Sequence, residues 1–147
     1  MKSNYLKYWK VIRNYVKMKY GISQAEMDIL LFLYSEKYFN KSKFYHFNNI
    51  MSWDVERFNG LLKNGWIEVF RKRQGKQATL YKMSHRAKLM ITDMYKKLDG
   101  DEISENPKCN PMYRKNISYM GKVQRMIITE MNQEIRKKRL EAQESQD

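Results

Sequence analysis

The fold follows most directly from residues 61–83, which read LLKNGWIEVFRKRQGKQATLYKM. The first four residues continue a segment of helical spacing, and Gly65 follows them as a glycine commonly follows a helix C-terminus. Residues 66–72 and 78–83 are instead rich in β-branched and aromatic side chains, which is typical of strands. The connector 73–77 contains a glycine suited to a hairpin turn. The pattern therefore predicts a helix followed by a two-stranded hairpin with a basic connector.

The segments before this region carry the spacing of helices. Residues 5–20 repeat apolar side chains at steps of three and four, which predicts an amphipathic helix that ends at Gly21. Ser23-Gln24-Ala25-Glu26 has the spacing of a capping box at the start of a mostly apolar, buried helix. A short helix is predicted over 43–51. Another helix is predicted from the N-cap Ser52 to about residue 64, with an inward face of Val55, Phe58, Leu61 and Leu62.

The segments after the hairpin also predict helices. Ser84 is the expected N-cap of a helix that ends near Gly100. Residues 100–112 contain both prolines and are expected to form a loop. A last helix is predicted from about Tyr113, and its charged end is expected to fray from Arg136.

Charge and composition restrict the classes of protein. The 147 residues have the length of one domain. The 42% of hydrophobic residues, the 31% of charged residues and the total of only eight Gly and Pro exclude collagen-like, disordered and disulfide-scaffold classes. Lys and Arg number 29 against 16 Asp and Glu, a net charge of +13. Residues 1–20 and 21–100 carry +6 each, whereas 101–147 carry only +1. We therefore expect a negatively charged partner that binds the first two-thirds of the chain, although a lysine-rich surface can also serve solubility alone.

The sequence also favours a cytoplasmic protein. No apolar run approaches the ~20 residues of a membrane-spanning helix, so no membrane partner is expected. The basic N-terminus lacks the apolar core of a secretory signal. Cys109 is the only cysteine, which fits a reducing compartment.

Helices followed by a basic hairpin are the order of a winged helix-turn-helix, and three motifs strengthen that interpretation. The segments 21–33 (GISQAEMDILLFL), 61–68 (LLKNGWIE) and 78–88 (ATLYKMSHRAK) resemble the MarR-like family of winged-helix regulators. The family's wing usually carries an aspartate and an arginine before its second strand. Here residues 72–77 (KRQGKQ) keep basic residues but lack the aspartate.

The resemblance implies a mainly α fold with a small β-hairpin wing, a winged helix-turn-helix with N- and C-terminal dimerisation helices. Residues 1–20 would form the N-terminal dimerisation helix and residues 21–100 the DNA-binding domain. Residues 101–147 would form a loop, the C-terminal dimerisation helix and a frayed charged tail. It further implies a homodimeric transcriptional regulator that binds double-stranded DNA. A small-molecule effector would bind between the dimerisation helices and the DNA-binding lobe.

The predicted DNA contacts lie on the helix before the hairpin and on the hairpin itself. A helix in the major groove can distinguish bases, so Arg57 would pair with guanine, Asn59 with adenine and Glu56 with cytosine. The hairpin would follow phosphates or enter the minor groove. For Trp53 and Gly60, the alternative role is packing within the chain. For the cations, the alternative is a solvent-exposed face without a partner. The predicted set is Lys41, Lys43, Trp53, Glu56, Arg57, Asn59, Gly60, Lys63, Arg71, Lys72, Arg73 and Lys76.

Apolar stripes on the terminal helices predict a homodimer interface. The alternative is that both helices fold back on their own domain. The stripe residues are Tyr5, Tyr8, Trp9, Ile12, Val16, Ile117, Met120, Ile127 and Met131.

No motif predicts catalysis, a metal site or a cofactor. His46 and His85 have no neighbours arranged as a triad or a metal site, and no glycine-rich phosphate loop occurs. Cys109 stands apart from both histidines, and whether it senses redox state stays open. Two other functions remain open: a winged-helix replication or packaging factor, and a protein-interaction module without DNA binding.

Overall fold

The computed structural model describes residues 5–46, 54–115 and 117–145, with side chains given from residue 7 onward. These residues are mainly helical and include a small two-stranded antiparallel hairpin, as predicted. The elements are α1 (Tyr5–Tyr20), α2 (Gln24–Leu33), α3 (Lys41–His46), α4 (Val55–Lys63), β1 (Ile67–Arg71), β2 (Leu80–Met83), α5 (His85–Leu98), a 3₁₀ turn (Pro111–Tyr113) and α6 (Tyr119–Glu144).

The chain forms two compact units. The central unit comprises residues 23–91, and the terminal unit comprises residues 1–22 and 92–147. Helix α5 contributes its first part to the central unit and its second part to the terminal unit.

An aromatic cluster forms part of the core of the central unit. The Phe58 ring of α4 packs edge-on against Phe44 of α3 and Tyr81 of β2, with centroid distances of 4.9 Å and 4.8 Å. In α2, Met27, Ile29, Leu30 and Leu33 are buried as well, whereas Phe32 is exposed, so the predicted burial is confirmed for one face of this helix. Edge-on aromatic pairs add about 1 kcal/mol each beyond their buried area, so this cluster fixes α3 and α4 against β2.

Helix α4 begins later than predicted and buries a narrower face. Asp54 is its N-cap and accepts a hydrogen bond from the backbone N–H of Arg57 at 2.9 Å. The predicted cap Ser52 lies outside the described residues. Phe58 and Leu61 are buried, but Leu62 is half-buried and Val55 is 55% exposed. At about 100° per residue, Val55 and Leu62 lie at the border of the stripe centred between Phe58 and Leu61.

The end of α4 is fixed to the start of the hairpin. Gly65 has a φ of 77°, and the next residue, Trp66, donates its backbone N–H to the carbonyl of Leu61 at 2.9 Å. The Trp66 ring is buried beneath the Arg86 guanidinium, whose central carbon lies 4.0 Å from the ring centroid. Arg86 also donates a hydrogen bond to the carbonyl of Asn64. These contacts hold the last turn of α4 and the first residue of the hairpin in one arrangement.

The hairpin contains an irregularity in β1. Val69 pairs with Tyr81 and Arg71 pairs with Leu80, so Phe70 is the extra residue of a β-bulge. At the outer end, Gln74 and Gln77 exchange backbone hydrogen bonds around a turn in which Gly75 has a φ of 58°. The strands are shorter than the predicted 66–72 and 78–83, but the hairpin and its glycine turn are confirmed.

A third chain segment joins the hairpin at β2. Phe39 and Tyr81 exchange two backbone hydrogen bonds, of 3.0 Å and 2.7 Å. The segment before α3 is thereby fixed beside the second strand.

In the terminal unit, α1 packs against α6 and the 3₁₀ turn. The buried Asn132 side chain of α6 donates to the carbonyl of Ile103 at 2.8 Å and accepts from its N–H at 3.0 Å. This amide therefore satisfies both backbone groups of a buried loop residue, which would otherwise be costly to bury.

Two predictions about the last helix are wrong. Tyr113 lies in the 3₁₀ turn, and α6 begins only at Tyr119 after its N-cap Ser118. The helix also does not fray at Arg136 but continues to Glu144. Its charged end is stabilised because Arg136 and Arg139 both bind the carboxylate of Glu102, at 2.6 Å and 3.3 Å.

None of the described helices is both long and apolar enough to cross a membrane.

Candidate nucleic-acid interface

Positive charge is concentrated in the C-terminal part of the central unit. This unit contains twelve Lys and Arg residues against six Asp and Glu. Residues 69–92 contain seven of those basic residues and no acidic residue. The hairpin tip and the second strand therefore lie in a continuous stretch of sequence without carboxylates.

The hairpin tip presents its cations to solvent. Lys72, Arg73 and Lys76 are exposed, whereas Arg71 is half-buried within the ladder. Arg73 also shapes the turn, because its Nε donates to the carbonyl of Gly75 and its backbone N–H donates to the Thr79 hydroxyl. Three of the four predicted hairpin cations are thus accessible.

Helix α4 presents polar side chains on its exposed face. Glu56, Asn59 and Lys63 are exposed, and Arg57 is half-buried. Trp53 lies outside the described residues. The exposed Val55 was expected to be buried. As an apolar side chain on this face it can contact a thymine methyl group, the apolar feature of the major groove.

Gly60 lies on α4 and is half-buried. Apart from its chain neighbours and its own helix backbone, a Cβ built at this position would meet no atom of the described residues within 4 Å. Packing within the described chain therefore gives no reason for a glycine here, and space for a closely approaching ligand is a reason that fits.

The two predicted lysines of α3 differ from each other. Lys41 is exposed, and its Nζ lies 5.5 Å from the centroid of the Phe58 ring. Lys43 is also exposed, but its Nζ lies 2.7 Å from the Glu36 carboxylate. Lys41 is therefore the stronger candidate for an anion contact.

A cleft of about 290 Å³ lies between the start of α3 and the hairpin. Its polar and aromatic lining consists of Asn40, Lys41, Ser42, Arg73, Thr79 and Tyr81. The sequence alone does not predict this cleft, because its two walls are more than 30 residues apart in the chain. The backbone pairing of Phe39 with Tyr81 brings the two walls together, and no local sequence pattern predicts that pairing.

The sequence also does not predict an aromatic pair between the segment before α3 and the hairpin. The rings of Tyr38 and Phe70 stack with centroids 4.0 Å apart, and Phe70 is 46% exposed. The bulge explains this position, because an extra residue in a ladder commonly re-aims its side chain.

The residues predicted for dimerisation are only partly accessible in the terminal unit. Tyr8, Ile12, Val16 and Met131 are buried within the unit, so the expectation that they form an exposed stripe is wrong for them. Trp9, Ile117 and Ile127 are half-buried, Met120 is 59% exposed, and the side chain of Tyr5 is outside the described set. Helix α6 also exposes Tyr119, Met126 and Leu140.

The N-terminal cations expected to attract DNA are partly engaged within the terminal unit. Lys7 lies 3.7 Å from Glu134, and Lys19 lies 3.3 Å from the Asp93 carboxylate. Tyr20 donates to the same Asp93 carboxylate, and burial raises the pKa of Tyr20. Part of the positive charge of this segment is thus neutralised locally.

The remaining candidate groups, two histidines and one cysteine, are all accessible to solvent. His46 and His85 are exposed, and Cys109 is exposed with a free thiol. Among the described residues, no three His, Cys, Asp or Glu side chains are grouped so that they could hold a metal ion.

No protein-family model and no curated protein matches the sequence, and no solved structure matches the fold.

Proposed function

We propose that this protein is a sequence-specific double-stranded DNA-binding transcriptional regulator with a winged helix-turn-helix of the MarR-like type. The observation that carries the proposal is that an α4 with exposed polar side chains leads, three residues later, into a hairpin whose tip residues Lys72, Arg73 and Lys76 are all exposed. A helix with polar side chains fits the major groove, and a cationic hairpin fits the phosphate backbone or the minor groove. The rigid connection from α4 through Trp66 to β1 supports their joint action.

Within this proposal, the two elements have separate tasks. The hairpin cations supply binding that depends on salt and is independent of sequence. Glu56, Arg57 and Asn59 supply base readout through hydrogen bonds in the major groove. The exposed Val55 adds an apolar contact to this readout. Lys63 and Lys41 bind flanking phosphates.

A homodimer is part of the proposal. Two copies would read half-sites about one helical turn apart on a palindromic operator. Exposed apolar residues of α6, including Tyr119 and Met120, favour association of α6 with a second copy.

Selection of bound sites from random duplexes, followed by salt titration on selected and random duplexes, tests the proposal. We expect a preferred palindromic site and a steep decrease of affinity with salt. A steep salt dependence without sequence preference would indicate a packaging or replication factor instead. An absence of duplex binding at low salt would indicate a protein-interaction module.

A further inference from the structure

The cleft between α3 and the hairpin combines cations with neutral donors. Lys41 and Arg73 are its charged lining residues, and no carboxylate lines it among the described residues. The Arg73 Nε is used by the Gly75 carbonyl, which leaves the two terminal nitrogens of the guanidinium as donors. The Thr79 hydroxyl accepts from the Arg73 backbone N–H and keeps its own proton to donate. The cleft is therefore built to receive an anion with several acceptor oxygens.

Contacts within the protein itself stabilise the shape of the cleft. The lining residue Tyr81 pairs with Phe39 through two backbone hydrogen bonds, and its ring packs edge-on against Phe58. Lys41 lies over the same Phe58 ring, and Arg73 is fixed by the turn. These contacts position the backbone of both walls and one nitrogen of Arg73 before binding, which lowers the entropy cost of ordering the cleft around a ligand.

The size and lining of the cleft favour a phosphate attached to a sugar over a larger molecule. About 290 Å³ lies at the lower limit of small-ligand pockets, which span roughly 300–1,000 Å³. The Tyr81 ring and Ala78 offer an apolar surface beside the cations, as the faces of a deoxyribose require.

We propose that this cleft binds one phosphodiester group of the duplex backbone, with Lys41 and Arg73 neutralising its charge and Thr79 and Ser42 donating to its oxygens. The proposal rests on the function proposed above. A phosphate seated here would fix the register of the protein on the duplex, since phosphate contacts orient a protein without reading sequence.

A double-mutant cycle between protein and DNA tests this site. Duplexes of the selected sequence each carry a single neutral methylphosphonate, and anisotropy measures their affinity for the wild type, Lys41→Gln and the matched control Lys72→Gln. We expect one methylphosphonate position to weaken wild-type binding about tenfold. Lys41→Gln should weaken binding to the unmodified duplex about tenfold and lose nothing further at that position. Lys72→Gln should remain sensitive to it. Additive losses for Lys41→Gln at every position would overturn the proposal.

A second measurement separates failure of this site from failure of the proposed function. Inorganic phosphate is titrated into the protein at constant ionic strength, with chloride as the control, while amide resonances are followed by NMR. Saturable shifts at residues 41, 42, 73 and 79 that Lys41→Gln abolishes would support a phosphate site even if no duplex binds. The anion would then be a free phosphate, and the proposed function would be wrong. Equal shifts with chloride, together with additive losses on DNA, would show that the cleft has no specific phosphate site.

Discussion

The two units of this protein use their charged side chains in different ways. Ion pairs are frequent in the terminal unit: Lys7–Glu134, Lys19–Asp93, Lys97–Asp93, Arg136–Glu102 and Arg139–Glu102. The central unit has two ion pairs among the described residues, Lys43–Glu36 and Lys82–Glu68, and the exposed tip cations Lys72, Arg73 and Lys76 take part in neither. Both units have a positive net charge, so net charge alone does not locate a binding surface. The difference lies in which cations are already neutralised by the fold.

The largest expected effect concerns the stability of the terminal unit. Asn132→Ala removes two hydrogen bonds and leaves the N–H and C=O of Ile103 buried without partners. The free energy of unfolding should fall by about 3 kcal/mol, because each buried unpaired group costs about 1–3 kcal/mol. Urea denaturation followed by circular dichroism measures this loss. Gln133→Ala, at an exposed position of the same helix, should change stability little, and equal losses for both variants would contradict the role of Asn132.

In the hairpin, loss of charged side chains should weaken duplex binding, in contrast to the loss of stability expected in the terminal unit. The double variant Arg73→Ala/Lys76→Ala should weaken duplex binding about one hundredfold at every sequence and reduce the salt slope by about one unit per lost phosphate contact. Fluorescence anisotropy over a salt series measures both quantities.

The matched control for the hairpin variant is Lys7→Ala/Arg136→Ala, which removes the same charge from paired positions of the terminal unit. We expect little change in duplex affinity. If both double variants lost affinity equally, binding would follow net charge, and the contrast between the units would have no functional meaning.

Loss of a base contact should cost less binding free energy than loss of the hairpin cations, and the loss should be confined to one base pair. Arg57→Ala should relax preference at a single base pair at a cost of about 2 kcal/mol, since a bidentate contact to guanine contributes about 1–3 kcal/mol. Competition among duplexes substituted one base pair at a time measures the preference. A loss that is uniform across all duplexes would identify Arg57 as a phosphate contact.

The smallest expected effect is at Gly60, where one substitution should increase stability but decrease duplex affinity. Gly60→Ala should raise the free energy of unfolding by about 1 kcal/mol, because alanine favours a helix and, apart from its chain neighbours and its own helix backbone, its Cβ meets no atom of the described residues within 4 Å. Duplex affinity should nevertheless fall about fivefold, because the methyl group would occupy space next to the DNA. Thermal melting and anisotropy give the two values. A more stable variant with unchanged affinity would place Gly60 outside the interface.

Local sequence signals predicted the elements of the central unit well. Ser23 and Glu26 form the expected cap of α2, Gly65 ends α4, and Gly75 turns the hairpin. Each of these features depends on residues within a few positions of one another. Such signals suffice wherever the backbone conformation of a short segment determines the outcome.

Features that depend on distant residues were not predictable from these patterns. The end of α6 stays helical because Arg136 binds Glu102, which lies 34 residues earlier in the chain. The cleft requires Phe39 to pair with Tyr81, 42 residues later. Burial of Trp66 under Arg86 likewise joins residues that no helical or strand period relates.

Phe70, the bulge residue of β1, determines on which side of the hairpin the following cations project. Without the bulge, Phe70 would pair with Leu80, and each following residue of that arm would project from the opposite side of the ribbon. The number of cations would be unchanged, yet Arg73 would turn away from the cleft that it lines together with Lys41. A single unpaired aromatic residue thus determines on which side of the ribbon the cations of this arm project, although it contributes nothing to their number.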